Sequence, residues 1–541
     1  MKKTSMLLAA AVLVATPAIA AAPVVDTPAG SVEGKAVGKL RVFKGIPFAQ
    51  PPVGSLRWKP PVALPAWPGV RKAQSFGAAC IQPRPTAIGI YTNPPAKVSE
   101  DCLTLNIWAP EAVKGAPVIV WIHGGALTNG YSHEGMYDGA KLAARGAVVV
   151  SINYRLGALG YLAHPELSKE SPDGVSGNYG LLDQIAALEW VKANIGAFGG
   201  DAGNVTIAGE SAGALSVMYL MTAPKARGLF HKAIAQSAYM ISTPSLREAR
   251  HGEIPAETMG TKVAAALGAA DLAALRAMDA SALNDGALKA GYFPWGTVDG
   301  KVLPRQLVDS FDRGEQAPVP MIAGFNIGEI RSLRMLAPPA PANAAVYEGA
   351  IRQRYGDLAD GWLKLYPAKD LNEAVIATTR DALYGWTSER LAIKQSALGQ
   401  NAYLYLFDHG YPATSEAGLH GFHAAEIPYV FGTATDTPPY WPKIPDTVAE
   451  KRFAAAMGDY WVSFAKTGKP ETAGQAVWKP YGSDAAFLAF ADVPRAGARL
   501  MPGMYKLHEA AMCRRRAAGN LPWNWNTGIL SPVLVKGTDC P

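Results

Sequence analysis

Residues 198–213 read FGGDAGNVTIAGESAG, and the second half of that stretch decides the fold. The run NVTIA (204–208) is short, apolar and β-branched, the pattern of a buried strand. The apolar run from 212 to 221 is long enough to be a helix. Between them Gly209-Glu210-Ser211-Ala212-Gly213 makes a GxSxG turn. A serine on so sharp a turn needs strained backbone angles, and side chains at the flanking glycines would collide with neighbouring backbone. Ser211 is thereby exposed at a helix N-terminus, whose amides and dipole favour developing negative charge. A bare GxSxG is a common accident; between a strand and a helix it marks Ser211 as a candidate nucleophile.

The same alternation extends outward. PVIVWI (117–122) and AVVVSI (147–152) read as buried strands. The span 178–198 reads as a helix with Leu181, Leu182, Ile185, Leu188 and Ile195 near one face. Later strands are expected at 320–324, 402–407 and 486–490. Strand–helix repetition of this kind predicts an α/β fold, a mostly parallel central sheet covered by helices on both faces. Residues 240–400 are Ala- and Leu-rich and helical in tone, and are expected to form a cap over the strand ends. With no linker visible, 23–541 reads as one domain.

Composition agrees with a large buried core: of 541 residues 49% are hydrophobic and 18% charged, far from a disordered chain. No internal period suggests a solenoid. The formal net charge is +7, but the only dense basic run is Arg514-Arg515-Arg516, so a solvated surface is a better reading than nucleic-acid binding. The N-terminus reads as a leader over 1–22, with Lys2 and Lys3, an apolar stretch from Met6 to Val14, and Ala18-Ile19-Ala20 as a small-x-small cleavage site. That stretch is too short to span a bilayer, so export to the periplasm or medium is expected, without stable membrane insertion. Four cysteines in an exported chain suggest two disulfides. Three pairings are open. Cys80–Cys102 would close a Pro-rich loop and leave Cys513–Cys540 to fasten the tail; no CxxC spacing suggests zinc.

A nucleophilic serine attacking a carbonyl needs donors for the resulting oxyanion. His123-Gly124-Gly125-Ala126 follows the strand at 117–122 and is placed to supply them, with the N–H of Ala212 as a further donor. Gly125, Ala126 and Ala212 are therefore the candidate oxyanion hole.

With these segments the chain resembles the type-B carboxylesterases, a family of the α/β-hydrolase fold that includes cholinesterases, p-nitrobenzyl esterases and fumonisin esterases. Residues 198–213 look like its serine signature and EDCLTLNIWAP (100–110) like its second one. FKGIPFAQPPVGSLRW (43–58), NYRLGALGYL (153–162) and YWVSFAKTG (460–468) match further. The resemblance implies a carboxylic ester hydrolase acting on small-molecule esters through an acyl-enzyme. No metal or organic cofactor is needed. GFNIGE (324–329) resembles the family's acid loop and HGFHAAEIPYVFG (420–432) its histidine loop, which implies Glu329 and His423 as acid and base. Serine, acid, histidine is also the chain order of this fold. Here Gly328 and Ile330 flank the acid where the family usually has Asp and Gly, which leaves Asp299 and Glu426 as rival acids. His420 is a rival base read as a surface residue, His123 is read as ordering its loop, and Glu210 as tuning the site or simply buried.

Three other functions are compatible with this fold. Adhesion proteins of this fold lack the triad, an amidase would share it, and a fumonisin-type polycarboxylate esterase suits the basic balance. Cholinesterase activity is disfavoured, because that branch uses an aromatic, typically Trp, between the first two cysteines to bind quaternary ammonium, and here Tyr91 is the only aromatic in the interval.

Ala126 stands where relatives commonly carry a third glycine. It keeps the N–H donor, but its methyl narrows the approach to it. Ala126→Gly is expected to raise kcat/KM for tert-butyl acetate relative to ethyl acetate by about 5- to 150-fold, the equivalent of about 1–3 kcal/mol of relieved crowding. An unchanged ratio would show that Ala126 is not a gate.

Overall fold

The computed structural model describes residues 22–537 and 540; all but the last residue of the 1–22 leader lies outside them. Among the described residues an eleven-stranded sheet organises the chain. In sequence order its strands are β1 (Lys35–Val37), β2 (Leu40–Pro47), β3 (Thr104–Pro110), β4 (Ala116–Ile122), β5 (Val148–Ile152), β6 (Gly200–Glu210), β7 (Lys232–Gln236), β8 (Met321–Asn326), β9 (Ala402–Phe407), β10 (Ala486–Phe490) and β11 (Pro494–Ala498). In space they lie β1-β2-β3-β5-β4-β6-β7-β8-β9-β10-β11. Every pairing from β5 across to β10 is parallel. The strands at both margins are antiparallel.

Alternate residues of the central strands enter opposite cores, as period-2 geometry requires. Val118, Val120, Ile122, Val150, Ile207 and Phe325 face one cluster; Ile119, Trp121, Val149, Ala208, Ile322 and Tyr405 face the other. Both faces are apolar, hence the unbroken hydrophobic runs in the sequence. Helices α1 (Tyr179–Asn194), α2 (Ala212–Thr222) and α3 (Trp386–Ala397) cover the first face, and α4 (Val448–Thr467) covers the second with Phe453, Met457, Trp461 and Phe464. The α1 expectation ended late, since 195–198 closes in a tighter 3-10 turn.

The stretch 240–400 is helical but mixed. Strand β8 belongs to the sheet and α3 packs on β8 and β9. Helices Ala256–Ala266, Leu272–Ala277 and Ala280–Lys289 share a smaller core with Leu159, Leu162 and Tyr179. The disulfides are Cys80–Cys102 and Cys513–Cys540. Two of the quoted motifs meet through charge: Arg57 of the first pairs with Glu100 of the second at 2.6 Å, and Arg57 also donates to the carbonyls of Arg276 and Met278.

A second buried pair braces the loop after β5. Arg155 Nε and Nη2 donate to the two carboxylate oxygens of Asp183 at 2.8 and 2.7 Å, and the Arg155 amide adds a bond of 3.0 Å. The side chains are 4% and 0% exposed, so removing one partner strands a charge in the interior. Asp183→Ala is expected to lower unfolding free energy by about 3–5 kcal/mol, whereas Arg155→Met with Asp183→Leu should recover most of the loss. Chemical denaturation of the three proteins measures this. A single variant as stable as the parent would contradict it.

Candidate active site

Register places the site. Ile122 at the end of β4 lies opposite Gly209 of β6, Glu210 opposite Gln236 of β7, and Gln236 opposite Gly324 of β8. The loops leaving these parallel strands therefore emerge side by side at one edge, the usual location of sites in such sheets. Those loops carry His123–Ala126, Ser211 and Glu329, and the loop after β9 carries His423.

Ser211 has φ 57° and ψ −121°, a conformation that costs a non-glycine residue about 1–3 kcal/mol and persists only where neighbours over-determine it. Here they do. Its N–H donates to Gln236 O at 2.9 Å, and its carbonyl accepts from Leu215 at 2.9 Å to start α2. A β-carbon on Gly213 would come within 2.0 Å of Ile122 O, and one on Gly209 within 2.5 Å of Gly213. The turn closes only with glycine at both positions.

The loop after β4 lies against this turn: a β-carbon on Gly124 would sit 2.8 Å from Glu210 O and 3.2 Å from Ser211 Cβ. Gly125, Ala126 and Leu127 have φ of 104°, 55° and 56°, which turn the backbone sharply. Among the described residues, no protein acceptor takes the N–H of Gly125, Ala126 or Ala212. Tyr154 Oη donates to His123 O at 2.7 Å and Gly157 N to Leu127 O at 2.8 Å, so the loop held by Arg155 and Asp183 holds this one in turn. Burial pushes His123 down to about 4. Its neutral ring, stacked on Tyr154, lies with Nδ1 2.9 Å from Gly124 O and can donate there, a backbone-ordering contact.

Glu329 and His423 meet directly. Glu329 Oε2 accepts from His423 Nδ1 at 2.5 Å, and Oε1 accepts from Asn326 N at 2.9 Å. The two loops are laced by Gly328 N donating to Gly421 O at 2.7 Å. The rivals are placed elsewhere or already occupied. Glu426 accepts from Gln236 Nε2 at 2.9 Å and Asn326 Nδ2 at 2.6 Å, which spends both oxygens on amides. Asp299 accepts from the amides of Lys301, Val302 and Leu303 and from Asn178, closing its own turn. His420 is exposed.

Two further groups reach His423: Glu210, expected from the sequence to tune the site or simply be buried, and Tyr384, which the sequence did not single out. Glu210 Oε1 lies 3.1 Å from His423 Nε2, and that buried oxygen has no hydrogen-bond partner among the described residues. Tyr384 stands on a π-helical turn, Asp381–Gly385, with its ring 5.4 Å from the His423 ring. Burial pushes the Glu210 carboxyl well above the usual range; the His423 charge opposes that, and Glu426, Glu329 and Glu134 add to it. Burial alone would depress His423. Glu210, Glu329 and Glu426 outweigh it and hold the imidazole up at about 9.

Residues 21–501 match the Carboxylesterase family. The chain is 36% identical over 493 residues to "Fumonisin B1 esterase" of Sphingopyxis macrogoltabida, covering 86% of this chain and 85% of the relative. It is 35% identical over 458 residues to "Para-nitrobenzyl esterase" of Bacillus subtilis, covering 83% and 91%. A solved PNB esterase superposes with a TM-score of 0.78 at 32% identity, over 90% of this chain and 99% of that one. A carboxylesterase of Geobacillus stearothermophilus gives 0.70 at 31%, over 92% and 99%.

The electrostatics set a pH dependence. A base must be neutral to accept a proton, so a histidine held at about 9 stays charged through neutral pH, and kcat/KM is expected to rise toward that value. Glu210→Gln removes the carboxylate that does most to raise it, so the rising limb should move to lower pH. A pH profile of both proteins measures it; superimposable limbs would contradict the assignment of Glu210 as the tuning charge.

Proposed function

This chain belongs to the carboxylesterase family and is a carboxylic ester hydrolase, and on that premise we propose that it works through an acyl-enzyme on Ser211. His423 removes the Ser211 proton as the hydroxyl attacks the ester carbonyl. Glu329 fixes the imidazole tautomer, keeping hydrogen on Nδ1 so that Nε2 is the accepting atom, and stabilises the imidazolium that forms. The amides of Gly125, Ala126 and Ala212 bind the tetrahedral oxyanion. His423 then returns its proton to the departing alcohol, and water enters by the same route to release the acid. The observation that carries this reading is the 2.5 Å contact of Glu329 with His423, together with the positive φ of Ser211 on its strand-to-helix turn.

We further read residues 23–541 as one catalytic domain with 240–400 as its cap-like region, and the protein as exported after removal of 1–22. The two disulfides support the last point, since such bonds persist in oxidising compartments. Any carboxylic ester small enough to reach the free amides fits the proposal.

Ser211→Ala is expected to lose about three orders of magnitude or more in kcat on p-nitrophenyl acetate, and an organophosphate should add covalently to Ser211. Peptide mass spectrometry locates the adduct. Finding it on another serine, or full turnover by the alanine variant, would overturn the nucleophile.

A further inference from the structure

We propose that Tyr91, on the loop closed by Cys80–Cys102, is a positioning residue that holds His423 in place through its hydroxyl. The inference rests on the triad reading above and deepens it. Tyr91 Oη donates to the His423 carbonyl at 2.8 Å and lies 2.7 Å from Ser332 Oγ. Ser332 Oγ accepts from His423 N–H at 3.3 Å and lies 3.3 Å from Glu329 O, where its own hydrogen can go. Two hydroxyls thus grip both backbone groups of the residue that must present its ring to Ser211. One of them also reaches the acid that orients that ring.

The reach of the loop matters. His423 is far from Tyr91 in sequence, and the loop that carries Tyr91 is fastened at its base by the disulfide. Its tip also touches the other wall of the site. Tyr131 Oη donates to Asn93 O at 3.2 Å, and Gln82 exchanges two hydrogen bonds with the backbone of Gly130 at 3.0 and 3.1 Å. One strap therefore braces the oxyanion-side loop at 130–131 and the histidine loop at 423. The Tyr91 ring packs edge-on to Trp441 at 5.9 Å, which aims the hydroxyl inward. At 37% exposure the residue is not core, so changing it tests position and not folding.

Tyr91→Phe keeps the ring and removes the hydroxyl. Loss of one such hydrogen bond is expected to lower kcat about 3- to 10-fold with KM within about twofold and an unchanged unfolding midpoint. Ser332→Ala should act in the same direction, and the double variant should lose less than the two single effects combined, because the hydroxyls share one network. An activity-independent readout is the low-field proton resonance of the His423 Nδ1–Glu329 hydrogen bond, which should shift or broaden in Tyr91→Phe. Wild-type kcat together with an unmoved resonance in Tyr91→Phe would overturn the inference while leaving the triad intact. Turnover retained by Ser211→Ala would instead overturn the triad reading, and the resonance would still decide whether Tyr91 holds His423.

Discussion

The carbonyl of Ile122 comes so close to the α-carbon of Gly213 that no side chain fits between them, and the rest of the site follows from that approach. It brings the end of β4 against the start of α2, which forces the chain at Ser211 into a positive φ. The same contact sets the loop after Ile122 beside the serine, with Gly124 packed against Glu210 O and Ser211 Cβ. Strain at Ser211 is held because every neighbour is a strand end or a helix start with its own hydrogen bonds. In the proposed reaction, amides fixed by such a frame need no rearrangement as negative charge develops.

Electrostatics make a second constraint. Three glutamates, 210, 329 and 426, are buried around one imidazole. Each has a different fate. Glu426 is satisfied by two amides, Glu329 is committed to Nδ1, and Glu210 is left facing Nε2 with an oxygen that no hydrogen bond satisfies. The positive form of His423 is therefore favoured before any substrate arrives. In the proposed reaction that form is also the one created when the serine proton transfers, so the arrangement would stabilise the charged stage and raise the pH at which the base is free. The balance between these two effects is why the pH profile is informative.

Much of this architecture was legible in the residues. Runs such as PVIVWI and NVTIA announce strands because both faces of a parallel sheet are buried, and β9 and β10 fall where their apolar runs stand. Strands β1, β7 and β11 were missed, and so were β2 and β3. Strand β2 carries Gly45 and Pro47 and shifts register between Phe43 and Ile46, and β3 has Asn106 in its middle, so neither reads as a plain apolar run. The GxSxG turn and the Gly-Gly loop were legible because glycine at those spacings is a steric requirement. The roles of Glu329 and His423 came from resemblance alone, since nothing local distinguishes them from Glu426 or His420 until the loops are laced together. Tyr384 was invisible, because a π-turn leaves no mark in the hydrophobic period. So was the reach of Tyr91, a contact that joins distant segments through an exposed loop.

If an ester's acyl group passes through Ser211 as proposed, the intermediate itself can be caught. Rapid acid quench during turnover of p-nitrophenyl acetate, followed by peptide mass spectrometry, should find one acetyl group on the Ser211 hydroxyl. It should appear with the burst of p-nitrophenol and be absent without substrate. An acetyl group on another residue, or turnover with no acylated peptide under conditions that show a burst, would contradict the account.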